Sequence, residues 1–337
     1  MKRLQNFRSG FQFHAATLFL TIALSSVPAL SHAQSQINFP ERPVRLLVAN
    51  PAGGTIDLIA RTVAQGLAEI WGQPVLVENR AGAAGLIAGE IVAKAPGDGH
   101  TLFMGANSLT SIPFLIAKMP YDTLTDLVPI GIATTIPNVL VASPALKVES
   151  MAELVKAAKA QPGTINYASN GIGATNHISM EQLQREAGMT LNHIPYKGAA
   201  ALLPDLVAGR VSLTYAAVST MLPYIKEGKL VALGMASQSR SPLFPGVPTM
   251  AELGYPKASA AAIWVGLLGS KGMPQALVQK ISKDFEIVVR SKAYNDNVIA
   301  KGNELRVASS EEFAQQIRSE FASNRELFKS LGIKPGG

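Results

Sequence analysis

From Pro43 onward, short apolar runs alternate with longer stretches of helical periodicity, the alternation of an α/β fold. Residues 44–49 read as a buried strand. The loop Asn50-Pro-Ala-Gly-Gly-Thr-Ile-Asp57 follows, and then a helix with Leu58, Ile59, Val63, Leu67 and Ile70 on one face, stopped at Trp71-Gly72. Residues 74–78 form a second strand, 79–85 a glycine-rich loop, 86–94 a helix and 101–104 a third strand. This βαβαβ order predicts an open parallel sheet with helices on both faces.

Residues 127–135 are apolar and β-branched, Pro137-Asn138 interrupts them, and 139–143 resume. The pattern predicts a strand that crosses into a second domain. There, helices over 150–160, 175–187, 200–208 and 221–227 alternate with strands over 166–168, 193–196, 211–215 and 230–236. Ser150 and Glu153 stand at capping-box spacing before the first of these helices. A proline-rich stretch, 242–248, suits a linker. Residues 261–269 are strand-like again and predict a return to the first domain, closed by amphipathic helices over 274–290 and 310–331. The expected division is domain 1 over 34–135 and 258–337, and domain 2 over 136–257.

Composition narrows the class. The chain has 337 residues, 47% hydrophobic and 16% charged, which excludes a disordered chain or a coiled coil. It has no cysteine, so disulfides, thiolate nucleophiles, cysteine-ligated metals and a lipidated N-terminal cysteine are all excluded. Residues 1–33 have the form of a secretory signal: basic Lys2, Arg3 and Arg8, a short apolar run over 15–24, and Ser31-His32-Ala33 as the cleavage site. Their removal takes three basic and no acidic side chains from 30 basic and 23 acidic, leaving +4. That mild excess, without basic clusters, argues against nucleic-acid binding. A free periplasmic protein is expected.

Three loops at strand C-termini are candidates for a ligand, because ligands of open α/β sheets lie there. The first is the 50–57 turn, where adjacent Gly53-Gly54 allow close backbone approach and a helix N-terminus adds partial positive charge. The plainer reading is a tight turn with Thr55 as N-cap. A dinucleotide site with Glu78 on the ribose lacks the G-x-G-x-x-G spacing. The second, Ala168-Ser-Asn-Gly-Ile-Gly-Ala-Thr-Asn-His177, repeats the design; capping and a partly buried histidine are its plainer reading. The third is Gly105-Ala-Asn-Ser108. Catalytic signals are weak: His100, His177 and His193 have no metal spacing, no G-x-S-x-G elbow occurs, and Asp57 and Asp205 fit capping as well as chemistry.

These residues together resemble the substrate-binding proteins of tripartite tricarboxylate transporters, the Bug-type family. The landmarks are Pro43-Val-Arg-Leu-Leu-Val-Ala-Asn-Pro-Ala-Gly-Gly54 with Asp57 and Ala60-Arg61, Gly72-Gln-Pro-Val75, Val77-Glu-Asn-Arg-Ala-Gly82 and Ala93-Lys-Ala-Pro-Gly-Asp-Gly99. His193-Ile-Pro-Tyr-Lys-Gly198, Asp205-Leu-Val-Ala-Gly209 and Val247-Pro-Thr-Met-Ala-Glu252 complete them, so the likeness covers nearly the whole chain after the signal. The resemblance implies a periplasmic-binding-protein-like fold of type II character: two open sheets, helices on both faces, and a ligand cleft between domains. It implies contacts from Ala52, Gly53, Gly54, Thr55, Asp57, Asn107 and Ser108 in the first domain. From the second it implies Ser169, Asn170, Gly173, Ala174, Thr175, His177, Tyr196, Lys197 and Asp205. Three departures bear on the solute: Asn50 with Pro51-Ala52 where the family often has an aromatic residue before Pro-Gly-Gly, and Asn170 and Ala174 where it often has serine.

The expected function is a monomeric extracytoplasmic receptor, without cofactor or metal, that delivers a small carboxylate to membrane transporter subunits. A secreted hydrolase or dehydrogenase and a solute-presenting sensor partner are the competing classes. Turnover of carboxylic esters or hydroxy acids would identify the first. Loss of a transcriptional response rather than of uptake on gene deletion would identify the second.

Overall fold

The computed structural model describes residues 38–196, 199–237, 239–258 and 262–336. The signal-like segment 1–33 and Lys197 lie outside them, as do residues 259–261 of the second expected crossing.

The first lobe opens with β1 (Val44–Val48), α1 (Thr55–Trp71), β2 (Val75–Asn79), α2 (Leu86–Ala93), β3 (Thr101–Ala106) and β4 (Leu127–Ile136). The second comprises β5 (Asn138–Ala142), α3 (Met151–Ala160), β6 (Asn166–Ser169), α4 (Thr175–Ala187), β7 (Asn192–Pro195), α5 (Ala199–Val207), β8 (Leu213–Ala217), α6 (Val218–Lys226) and β9 (Val231–Ala236). The chain then returns through β10 (Ile263–Ser270), α7 (Gln275–Val289), α8 (Lys292–Asn297), β11 (Glu304–Ala308) and α9 (Ser310–Ser330).

Two sheets result, ordered β11-β4-β10-β3-β1-β2 and β7-β6-β8-β5-β9. The strand period of two sets the layers. Leu46 and Val48 pack with Ile59, Val63 and Ile281 from α1 and α7, whereas Leu47 packs on the opposite face with Val92, Phe313 and Ile317 from α2 and α9. In the second lobe Leu140 joins Leu154 and Leu183 of α3 and α4, while Val139 and Val141 join Leu202 and Met221 of α5 and α6. Each sheet therefore has helices on both faces, as expected.

The parallel pairing expected of the βαβαβ unit holds for β1 with β2 and β3, and recurs in the second sheet where β6 pairs with β7 and β8. The returning β10 runs antiparallel to both β3 and β4, and β11 antiparallel to β4, so the first sheet is mixed. The return from the second lobe inserts β10 into the middle of the sheet, which no local pattern encodes. The crossing itself is sharp: Ile136 pairs with Ile263 in one sheet, and Asn138 pairs with Ala217 and Ala236 in the other. Pro137, which has no N–H to donate, sits between them and accepts from Val218 N.

Three further expectations need correcting. The 242–248 stretch is not a loose linker: Phe244 is buried, and Pro248 O and Met250 N both bond the backbone of Met235 in β9. Ser150 does cap α3 through Glu153 N, but the Glu153 carboxylate takes the N–H of Glu149 rather than closing a box on Ser150. The box forms instead at α9, between Ser309 and Glu312. Elements α8 and β11 were not anticipated; both are short and β11 lies at a sheet edge.

Candidate functional site

The loop after β1 turns into α1 at Gly54, which occupies the N-cap with φ −80° and ψ 170° and offers no side chain as a cap. Thr55 is the first helical residue, not the cap. Asp57 lies beneath this turn, 3% exposed. Its Oδ2 accepts from Gly53 N and Arg61 Nε, both at 2.9 Å, and its Oδ1 accepts from Asn79 Nδ2 at 2.8 Å. Burial alone would raise this carboxyl; the hydrogen bonds from Arg61, Gly53 and Asn79 outweigh it and hold the group at about 2. Asn79 Nδ2 also reaches Asn50 O, so one buried carboxylate shapes the turn and fixes Asn50.

The neighbouring basic groups are similarly engaged. Arg45 makes a two-pronged contact with Glu78 at 2.7 and 2.9 Å, and Arg80 joins the same carboxylate at 3.1 Å. The Arg45 hydrogen bond is the main cause of holding Glu78 at about 2, against burial and with help from Arg80. Glu78 is thus an ion-pair partner within the sheet, which removes the dinucleotide reading of that residue.

In the second lobe the 169–174 turn delivers the chain into α4. Ala174 is the N-cap, with no side-chain cap and no acid in the first turn. Several of the turn's own N–H groups are already satisfied: Asn170 N by Asn176 Oδ1 at 3.0 Å, Gly171 N by Ser169 Oγ at 3.1 Å, and Gly173 N by His177 Nδ1 at 2.9 Å. Ser169 Oγ stands 2.7 Å from His193 Nε2, and the His177 and His193 rings stack at 4.1 Å. Burial, with the charge of His193 second, lowers His177 to about 4, so both its ring and its acceptor nitrogen are kept neutral. Tyr196 and Asp205 bind each other at 2.8 Å, and Asp205 also pairs with Arg210.

A cavity of about 550 Å³ opens between the lobes. Of the expected contacts, Asn107, Ser108, Asn170, Ala174 and Thr175 line it. Ser169, Gly173 and His177 are buried behind its wall. Asp57 braces the α1 turn from below, and Tyr196 and Asp205 pair beside the second turn. Ala52, Gly53 and Gly54 are exposed on that α1 turn, with Thr55 half-buried at its end, and the helix residue that reaches the cavity wall is Ile56. Thr175 Oγ1 meets Asn107 Oδ1 across the lobes at 3.4 Å.

Other lining residues were not anticipated. Asn50, Asn138 and Asn176 add carboxamides; Thr214 and Thr220 add hydroxyls; Phe103, Leu202, Leu203, Met221 and Ile263 add an apolar wall. Thr214, Ala216 and Ala217 follow the same strand-end rule as the loops that were found, so that signal was present. Ala84 had none: Ala83 and Ala84 adopt φ of 44° and 52°, a left-handed pair at the cavity edge that Ser108 Oγ holds through Ala84 O at 2.9 Å.

A second hollow of about 500 Å³, between α4 and α9, shares Asn107 and Thr175. Neither glycine turn reaches it. Its half-buried Glu320 accepts from Trp264 Nε1, and Thr110, 3.3 Å from Glu320, donates to Asn107 O at 2.8 Å. This network braces the turn that carries Asn107.

Comparisons with known proteins agree with this geometry. A family model described as "Tripartite tricarboxylate transporter family receptor" matches residues 59–333. Protein BugT of Bordetella pertussis is 34% identical over 321 residues, spanning 95% of this chain and 97% of its own. The structure of R. palustris Rpa4515 with adipate is 31% identical, with a TM-score of 0.74 over 88% of this chain and 99% of that one. MatC from Rhodopseudomonas palustris with bound malate is 27% identical, with a TM-score of 0.70 over 86% and 99%. The chain is therefore a solute-binding receptor rather than an enzyme, and it belongs to the tripartite tricarboxylate transporter receptor family.

Proposed function

We propose that this receptor captures a small carboxylate between its lobes in the periplasm and delivers it, as a monomer, to the membrane subunits of a tripartite transporter. Nucleic acid has no part in this reading. The observation that carries it is the interlobe cleft, flanked by two helix N-termini that no side chain caps. The first-turn N–H groups of a helix lack intrahelical partners and carry the positive end of its dipole, about half a charge. At α4 these are the N–H groups of Thr175, Asn176 and His177, and at α1 those of Thr55, Ile56 and Asp57. An anion is recognised there without a basic side chain.

The contacts that the family likeness implies divide accordingly. Gly53 and Gly173 contribute turn shape, because their N–H groups already serve Asp57 and His177. Gly54 and Ala174 contribute access, and Asn107, Ser108, Asn170 and Thr175 contribute side-chain hydrogen bonds. The lobes proposed are 34–135 with 258–337, and 136–257, and residues 1–33 are the export signal. The adipate and malate bound by the two R. palustris relatives support a carboxylate as the solute.

A thermal-shift screen of the exported form against mono-, di- and tricarboxylates tests the reading. A ligand at about 100 times its Kd adds about 2.7 kcal/mol of stability. Failure of every carboxylate to raise the melting temperature rejects it.

A further inference from the structure

We propose that the cleft selects acids with a single negative charge, whose remainder is uncharged and carries a neutral hydrogen-bonding group such as an amide. This rests on the carboxylate-receptor reading above and narrows it. Among the described residues that line the cleft there is no Asp, Glu, Lys, Arg or His. Tyr215 is the one ionisable type there, and burial pushes its hydroxyl well above the usual range, so it stays neutral.

The basic side chains nearest the first turn are not available to a second carboxylate. Arg61 is held by Asp57, and Arg45 and Arg80 by Glu78. The two helix N-termini also differ. Asp57, ionised and buried in the first turn of α1, already occupies the positive end of that helix. The first turn of α4 contains no acid, so its positive end is open to a ligand. One anionic group is therefore well placed at Thr175–His177 of α4.

Apart from the N–H groups of that turn, the cleft presents carboxamides, hydroxyls and hydrocarbon. Asn50, Asn107 and Asn170 can each donate and accept, which suits an amide or hydroxyl. Leu202, Leu203 and Met221 form an apolar wall. A second carboxylate set against these groups loses its hydration without gaining a cation, whereas an amide of the same shape keeps its hydrogen bonds.

The test uses matched pairs of equal length: glutarate and glutaramate, adipate and adipamate, pimelate and pimelamate. Calorimetry at pH 7.5 and constant ionic strength compares the diacid with its half-amide. The half-amide should bind at least about tenfold tighter, a difference of about 1.4 kcal/mol. Thr220→Arg, which places a cation on the exposed cleft side of α6, should shift the ratio toward the diacid. A diacid that binds as tightly as its half-amide, or an unchanged ratio in Thr220→Arg, overturns the selectivity but leaves the carboxylate receptor standing. Binding of none of the six, with another carboxylate active in the thermal screen, overturns the class named here. Silence of every carboxylate rejects the parent reading as well.

Discussion

Two glycines at equivalent turns carry different loads. At Gly54 a Cβ would meet only Pro51 O, at 3.6 Å, and φ is negative. Gly54→Val should therefore fold normally yet weaken binding by crowding the cleft beside α1, and Gly54→Asp should weaken it by adding a negative charge to that side of the cleft. Calorimetry and a urea melt on each variant separate the two effects; full affinity in both would exclude the α1 turn from the ligand site. Gly173 is the opposite case, with φ +74° and a Cβ that would lie 2.3 Å from Leu115 Cδ1 of the other lobe. Gly173→Ala should lower stability and affinity together. Arg80→Ala should cost stability more than affinity, since Arg80 serves Glu78. His177 supplies a pH dependence. Its neutral ring is favoured in the fold, where it titrates near 4 instead of 6.5. Its contribution is thus complete above about pH 6.5 and declines as pH falls toward 4, where the unfolded chain binds a proton that the fold refuses. The loss over that window is about 3 kcal/mol. Urea midpoints at pH 7, 5.5 and 4.5 should fall less steeply in His177→Gln than in the parent; identical slopes would exclude this role.

At the scale of elements, the helices divide by how they begin. Helices α3, α8 and α9 start at Ser150, Ser291 and Ser309, whose hydroxyls accept from their own helix. Helices α1 and α4, which flank the cleft, start at Gly54 and Ala174 without any such bond; α2, α6 and α7 also start uncapped, so it is the position at the cleft together with the free N–H groups that distinguishes α1 and α4. Self-capping satisfies the terminal N–H groups and leaves nothing for a ligand, so the absence of caps at these two helices is what suits them to bind one. Ser309→Ala should lower stability by about 1 kcal/mol with affinity unchanged. Ala174→Ser should instead compete with the ligand for the same donors: a gain in stability of the empty protein, with weaker binding. Chemical denaturation with and without the best carboxylate of the thermal screen reads both, and stronger binding in Ala174→Ser would contradict the competition.

At the scale of the whole molecule, the lobes meet where Thr175 faces Asn107, Gly173 lies against Leu115 and Arg185 donates to Ser330 Oγ. Closure on the ligand by a hinge at the crossing over residues 134–138 should reduce the radius of gyration in small-angle scattering. Equal radii with and without a saturating ligand would rule that motion out. Much of this architecture was legible before any coordinates, because burial period and chain punctuation are local. Leu46, Leu47 and Val48 alternate between faces, Trp71-Gly72 ends α1, and Pro137 marks the crossing. The two glycine turns could likewise be found, since strand, turn and helix are consecutive in the chain. What side chains do at those turns was not legible, because it depends on partners far away in sequence. Asp57 became a brace rather than an exposed group only because Asn79 packs beside it, and His177 became a buried acceptor only because His193 stacks on it. The insertion of β10 between β3 and β4, the left-handed Ala83-Ala84 pair and the uncharged character of the described residues that line the cleft belong to the same class. Local pattern determined the elements and their order; only tertiary packing decided which polar groups are already satisfied, and so which remain for a ligand.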